Sequence, residues 1–281
     1  MKKRILSITA ILFVILLVAG CGRSSHIATT PETHGQTDPL EAEPVPQPSE
    51  SETRPSGETA APSETAPTDA ENPAEPPVLH SGIREDGSFD EGTLFIGDSQ
   101  TYLFIQDYLK PNGLLGDAKY TAQCGSQLTA FWDDDIRPTE DRSVYCVFSP
   151  EFEGLSFREA ATQFGAKATS IYLMWGSNHT PDATAQSYID IVQYLLDVCP
   201  NATVHLETIP QGDVAYVTVN GRIQGAWEYF QQIGEPRVTL VDTFGGIGTS
   251  VGSDRVHVTP LGREKWYDTL VLHAQELGLS Q

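Results

Sequence analysis

The sequence is poor in positive charge and in cysteine, and it holds no apolar run of the length that a bilayer demands. Seventeen Lys and Arg stand against 38 Asp and Glu, giving a formal charge of −21. That imbalance argues against nucleic acid as a partner and against electrostatic binding to anionic lipid, and it favours neutral or cationic substrates. The cysteines number four, and their spacing fits no zinc site. The acidic triple Asp133-Asp134-Asp135 lacks the alternation and the distal glutamate of a calcium loop, so a solvated acidic loop is expected. The unbroken apolar stretch runs only from about Ala10 to Ala19, whereas a membrane span takes about 20 residues. No long apolar lid segment follows it, which argues against long-chain lipid substrates.

What is present first is a leader. Met1-Lys2-Lys3-Arg4 is basic, and the apolar stretch behind it closes on Val18-Ala19-Gly20-Cys21. This resembles a bacterial lipoprotein signal with its lipobox. The resemblance implies cleavage before Cys21, lipidation of that cysteine, and a mature chain held outside the cytoplasmic membrane by a lipid anchor. Residues 1–20 are then the signal peptide. Residues 21–80 are the lipidated cysteine and a tether. From Gly22 to His80 the chain has eleven of its nineteen prolines, eleven acidic residues against two basic ones, and no Phe, Trp or Tyr. Such a segment cannot bury enough apolar surface to offset its chain entropy, and its charge and prolines keep it extended.

Residues 81–281 remain, about 200 in all and carrying a charge of about −15, enough for one domain with a sizeable core. An extracellular setting would permit one disulfide among Cys124, Cys146 and Cys199. Nothing in the spacing chooses the pair, and all three are read as buried small residues.

Short apolar runs alternate with helical patterns through this domain. Strands are expected at Leu94–Ile96, Tyr120–Gln123, Val144–Phe148, Ser170–Trp175, Thr203–Ile209 and Arg237–Thr243, several of them near-continuous in apolar or β-branched residues. Helices are expected at Gln100–Leu109, Phe157–Phe164, Ala183–Val198, Arg222–Ile233 and Pro260–Leu277, the last with Thr259 as N-cap and Pro260 in its first turn. Alternation of this kind predicts an α/β domain, a parallel sheet sandwiched between helices, with functional groups at the carboxyl ends of its strands.

Four places bring chemistry to that edge. The first expected strand stops at Gly97-Asp98-Ser99 and a helix follows, which puts a serine hydroxyl where open α/β sheets hold ligands. Alone, these three residues are an ordinary turn and cap. The strand near Tyr120 leads into Gln123-Cys124-Gly125-Ser126, with an unhindered glycine amide. The strand Ser170–Trp175 ends in Gly176-Ser177-Asn178, bringing an asparagine amide. Ahead of the last helix, Asp254 stands three residues before His257. Ester hydrolysis at neutral pH needs a base for the serine proton, a carboxylate to fix the imidazole tautomer, and donors for the oxyanion. These residues supply all of them without a metal.

Taken together and in order, the four blocks resemble those of the SGNH hydrolases, the GDSL esterases and lipases. The resemblance implies a flavodoxin-like, three-layer α/β/α fold with Ser99 as nucleophile, His257 as base and Asp254 as its orienter. It implies an oxyanion hole from the amides of Ser99 and Gly125 and the side chain of Asn178, and no cofactor. The chain departs from the family at His179, where an aspartate is usual, and at Ala122-Gln123-Cys124-Gly125, a loose match to the second block. The function so implied is a surface-anchored serine esterase that removes short acyl groups, acetyl foremost, from an acylated carbohydrate of the envelope or its surroundings. The same triad could serve an O-acyltransferase, and a non-catalytic glycan-binding lipoprotein is a third reading. Asp98 is expected to hydrogen-bond loop amides, His179 to face solvent, and His205 and His273 to be structural. Of Trp132, Trp175, Trp227 and Trp266, all are expected in the core except Trp132, which a substrate could reach.

Overall fold

Six strands form one sheet: β1 (Thr93–Gly97), β2 (Lys119–Gln123), β3 (Cys146–Phe148), β4 (Ser170–Met174), β5 (Thr203–Glu207) and β6 (Val238–Val241), in the order β3-β2-β1-β4-β5-β6. The computed structural model describes residues 77–137, 146–178, 184–210, 214–248, 250–254 and 256–279. The expected signal peptide, Cys21, nearly all of the tether, Val144 and His179 lie outside the described residues.

Each expected strand is present. β1 pairs in parallel with β2 and β4, β4 with β5, and β5 with β6. With β3 set aside, the order is the doubly wound, flavodoxin-like one, and it reverses between β1 and β4. The expectation of a wholly parallel sheet is corrected at one edge, where β3 runs antiparallel to β2. Among the described residues between those two strands the helical segment is a single short turn over Leu128–Phe131, too short for the crossover that a parallel return demands.

The helices are α1 (Ser99–Phe104), which continues as a π-helical turn over Ile105–Leu109, α2 (Phe157–Phe164), α3 (Ala185–Val198), α4 (Val214–Gln232), α5 (Thr243–Ile247) and α6 (Pro260–Glu276). They fall into two packed sets: α3 against α2 and α4, and α6 against α5 and the π-helical turn. Helices thus cover both faces of the sheet. Local chemistry sets their starts. Ser156 with Glu159 and Thr184 with Ser187 form capping boxes for α2 and α3, and Thr259 caps α6 with Pro260 in the first turn.

Two helical segments depart from expectation. α4 begins eight residues ahead of Arg222, because Val214, Val217, Thr218 and Val219 are poor helix formers whose preference yields to burial of Tyr216 and Val219. The short α5 contains two glycines and is held by Asp242, which accepts from the Gly245 amide at 2.9 Å.

The two sheet faces differ in chemistry. Leu94, Ile96, Ile171, Leu173, Val204 and Leu206 alternate with Thr93, Phe95, Ser170, Tyr172, Thr203, His205 and Glu207, and every one of them is buried. On the polar face His205 stacks on Tyr172 with ring centres 4.6 Å apart, and its ring nitrogens lie 2.8 Å from Thr239 Oγ1 and 2.9 Å from the His80 carbonyl. Burial pushes this imidazole down to about 3, so His205 is structural, as expected. His273 meets the same Thr239 hydroxyl at 3.1 Å.

Glu207 accepts from Trp266 Nε1 at 2.5 Å, and burial pushes its carboxyl up to about 8. The folded state therefore keeps a proton that the unfolded chain, with an ordinary value of 4.5, gives up. Stability falls as pH rises through that window. Glu207→Gln retains an acceptor for Trp266 without the ionisation. Unfolding measurements are expected to find the variant near wild type at pH 5 and more stable at pH 8, by a few kcal/mol as an order of magnitude. A gap that did not change with pH would contradict the buried ionisation.

Of the cysteines, Cys199 is buried as expected, its Sγ 3.6 Å from the Ala161 carbonyl and its thiol pushed up to about 12 by burial. Cys124 and Cys146 are only half-buried, contrary to expectation. They lie just past β2 and at the start of the edge strand, where the layers cover less.

Candidate active site

The carboxyl ends of β1 and β4 lie side by side where the strand order reverses, the point at which such sheets form a crevice. β1 closes on Gly97, where a Cβ would stand 2.1 Å from both the Met174 carbonyl oxygen and Thr101 Oγ1, so only glycine fits. The buried Asp98 follows. Its Oδ1 accepts from the Gln100 amide at 3.0 Å and from Ser177 Oγ at 3.2 Å, and its Oδ2 accepts from the amides of Gly176 at 3.1 Å and Ser177 at 2.7 Å. Burial pushes this carboxyl up, and those hydrogen bonds pull it back only in part. Asp98 thus joins the turn after β1 to the loop after β4, which is the loop-amide role expected of it.

Ser99 is the first residue of α1, and its Oγ lies 3.3 Å from His257 Nε2. His257 arrives on a short hairpin in which Val251 pairs with Val258, the Gly252 amide donates to the His257 carbonyl at 2.7 Å, and the Thr259 amide donates to the Ser250 carbonyl at 3.0 Å. Asp254 sits in the turn. Its Oδ1 accepts from the amides of Val256 and His257, each at 3.0 Å, and its Oδ2 lies 2.8 Å from His257 Nδ1. Partial burial pushes the Asp254 carboxyl up, but those two amides and the imidazole outweigh it and hold the group below the usual carboxylate range. An ionised carboxylate only accepts, so the shared proton sits on Nδ1 and leaves the Nε2 lone pair toward Ser99. The side chains of Asp254 and His257 are 51% and 36% exposed, so water reaches the site directly.

Asn178 Nδ2 donates to the Ser126 carbonyl at 3.2 Å, and Trp175 Nε1 donates to the same oxygen at 3.3 Å. The Asn178 amide has a second proton. Tyr188 OH holds the Trp175 carbonyl at 2.8 Å, and Tyr216 OH holds the Ser177 carbonyl at 3.2 Å. Gly125 has φ +75° with open space where a Cβ would lie, so backbone conformation rather than crowding selects glycine there. The structure therefore joins Asp254 to His257 and His257 to Ser99, ties Asn178 to the residue after Gly125, and links the loop after β4 to the Ser99 turn through Asp98.

No family model and no curated protein matches the chain. Among solved structures it is similar to a family 3 carbohydrate esterase of Clostridium thermocellum, at 14% identity and a TM-score of 0.47, over 66% of this chain and 95% of that one. It is similar to a family 3 carbohydrate esterase from Talaromyces cellulolyticus, at 18% identity and a TM-score of 0.39, over 66% and 96%. It is also similar to the C-terminal catalytic domain of peptidoglycan O-acetyltransferase A of Streptococcus pneumoniae, carrying a methylsulfonyl adduct, at 18% and 0.38, over 66% and 94%. At TM-scores below 0.5, these likenesses assign no role to any residue.

One residue beside Ser99 was missed in the sequence. Gln100 is buried, its Nε2 donates to the Val256 carbonyl, and its Oε1 accepts from the Val258 amide at 3.4 Å. No local pattern marks it, since the two peptide groups it holds lie 156 and 158 residues away.

Trp132 is 40% exposed, but it leans edge-on against Phe131 and Tyr194, with ring centres 5.1 and 5.6 Å away. Tyr194 lies nine residues into α3, about 13 Å along the helix from the end nearest the carboxyl edge. The ring therefore packs on the flank of α3. The neighbouring acidic triple is engaged locally. Asp134 pairs with Arg158 and accepts from Ser156 Oγ at 3.2 Å, and Asp133 Oδ1 accepts from the Asp135 amide at 3.0 Å. Trp175 and Trp266 are buried, and Trp227 packs against the core.

Proposed function

We propose that this domain is a serine esterase that removes acetyl and other short acyl groups from carbohydrate outside the cytoplasmic membrane, where a lipid on Cys21 anchors it. The observation that carries the reading is the continuous Asp254–His257–Ser99 relay at the point where the sheet order reverses. His257 Nε2 takes the Ser99 proton as Oγ attacks the ester carbonyl. The resulting oxyanion is held by the amides of Ser99 and Gly125 and by the second proton of Asn178 Nδ2. The tetrahedral intermediate collapses, the C–O bond breaks, and the sugar hydroxyl leaves with the proton from His257. A water then gives its proton to His257 and attacks the acyl-serine, releasing the acid and restoring Ser99. The separation of 3.3 Å between Oγ and Nε2 is slightly long, as resting sites commonly are before substrate closes them.

The substrate class is drawn from the lipobox-like leader, which puts the domain among envelope glycans, and from the resemblance of the four blocks to the SGNH hydrolases. The preference for short acyl groups is drawn from the acidic composition of the domain, from the exposure of Asp254 and His257, and from the lack of a long apolar lid segment in the sequence. The test compares 4-nitrophenyl acetate, butyrate and octanoate. Hydrolysis of the acetate is expected to exceed that of the octanoate by about tenfold or more, since a longer chain gains rate only where a pocket buries it. Equal rates would contradict the short-acyl reading. Acetyl appearing on an added sugar faster than in water would replace hydrolysis by acyl transfer.

A further inference from the structure

We propose that Gln100 is a positioning residue that sets the distance between Ser99 and His257; the inference rests on the esterase reading of that pair. Gln100 follows Ser99 directly, and its own amide is held by Asp98 Oδ1 at 3.0 Å. Its side chain crosses to the hairpin and takes the two peptide groups that flank His257. Nε2 donates to the Val256 carbonyl, and Oε1 accepts from the Val258 amide at 3.4 Å. The backbone groups of His257 itself are already occupied, its amide by Asp254 Oδ1 at 3.0 Å and its carbonyl by the Gly252 amide at 2.7 Å. The hairpin therefore fixes its own shape, while Gln100 fixes where the hairpin sits relative to α1.

The chemistry selects a primary amide. One flanking group needs a donor and the other an acceptor, and a neutral planar amide offers both at once. A buried side chain with one of them unmet would leave an orphaned peptide group beside the imidazole. Because the same turn carries Oγ and this clamp, the register of base to nucleophile is set across one residue rather than through the sheet. A misplacement of about 1 Å between reacting groups can cost on the order of 10²-fold in rate.

The test uses the full chain and two variants. Gln100→Met keeps the length but removes both hydrogen bonds. Gln100→Glu keeps them only while its carboxyl is protonated, since the ionised form has no donor for the Val256 carbonyl. On 4-nitrophenyl acetate, Gln100→Met is expected to lose about 10- to 100-fold in kcat with KM within about twofold, by a ratio to wild type that is level at pH values above the His257 titration in both proteins. The ratio for Gln100→Glu is expected to fall as pH rises through the titration of the introduced carboxyl. The ring-nitrogen NMR titration of His257 is expected to move in Gln100→Met, a readout that does not depend on turnover. A Met variant with wild-type kcat and an unmoved His257 titration would overturn the proposal. If wild type does not turn over but the His257 titration moves in Gln100→Met, the esterase reading fails and the clamp stands. Should Gln100→Met not fold, the pH series of Gln100→Glu decides alone: a flat ratio overturns the clamp.

Discussion

Ser99→Ala and His257→Ala each bring acetyl-ester hydrolysis down by about 10⁴-fold or more, and the double variant is no worse than either single one. The reason is geometric. The serine hydroxyl is a weak nucleophile until its proton has somewhere to go, and His257 Nε2, at 3.3 Å, is the base set against it. Removing either atom removes the same step, so the effects do not add. Neither substitution disturbs the core: Ser99→Ala deletes one oxygen at a helix start, and His257 is partly exposed. Melting temperatures are therefore expected within a few degrees of wild type. Steady-state hydrolysis of 4-nitrophenyl acetate beside thermal melts checks both halves. Asp254→Asn should cost less than either, because its carboxylate is half exposed and water can partly replace it.

Asp98→Ala is expected to produce the largest loss of stability of any single substitution at this edge. Four buried donors converge on that carboxylate: the amides of Gln100, Gly176 and Ser177 and the Ser177 hydroxyl. Each left without an acceptor costs about 1–3 kcal/mol, and together they approach the 5–15 kcal/mol by which a typical domain is stable. Asparagine does not repair this. Its amide nitrogen would face N–H groups across one of the two positions, replacing an acceptor by a donor. Denaturant unfolding is expected to show both variants destabilised by several kcal/mol, with the alanine variant the worse. An Asp98→Asn protein as stable as wild type would mean that the loops after β1 and β4 are held together by something else.

The strands were legible because a sheet covered on both faces requires nearly continuous apolar segments, and Leu94–Ile96 or Ser170–Trp175 could be little else. β5 was legible despite its polar residues, since His205 and Glu207 alternate with Val204 and Leu206 and meet their partners on one face. The direction of β3 was not legible, because direction depends on what connects two strands rather than on either strand. The first eight residues of α4 were hidden by β-branched residues whose helical state is decided by packing. At the site, Ser99, Asp254 and His257 stood out as residue types with reactive chemistry at strand ends. Gln100 did not, because an amide that holds two peptide groups 156 and 158 residues away has no local pattern.

The measurement that bears most directly on the central claim is labelling of the folded protein with a serine-directed phosphonate, followed by peptide mass spectrometry. One adduct per chain is expected, on Ser99, formed rapidly in wild type and lost in His257→Ala. A folded protein that takes no label, or that takes it on another serine, would contradict the relay as a catalytic device.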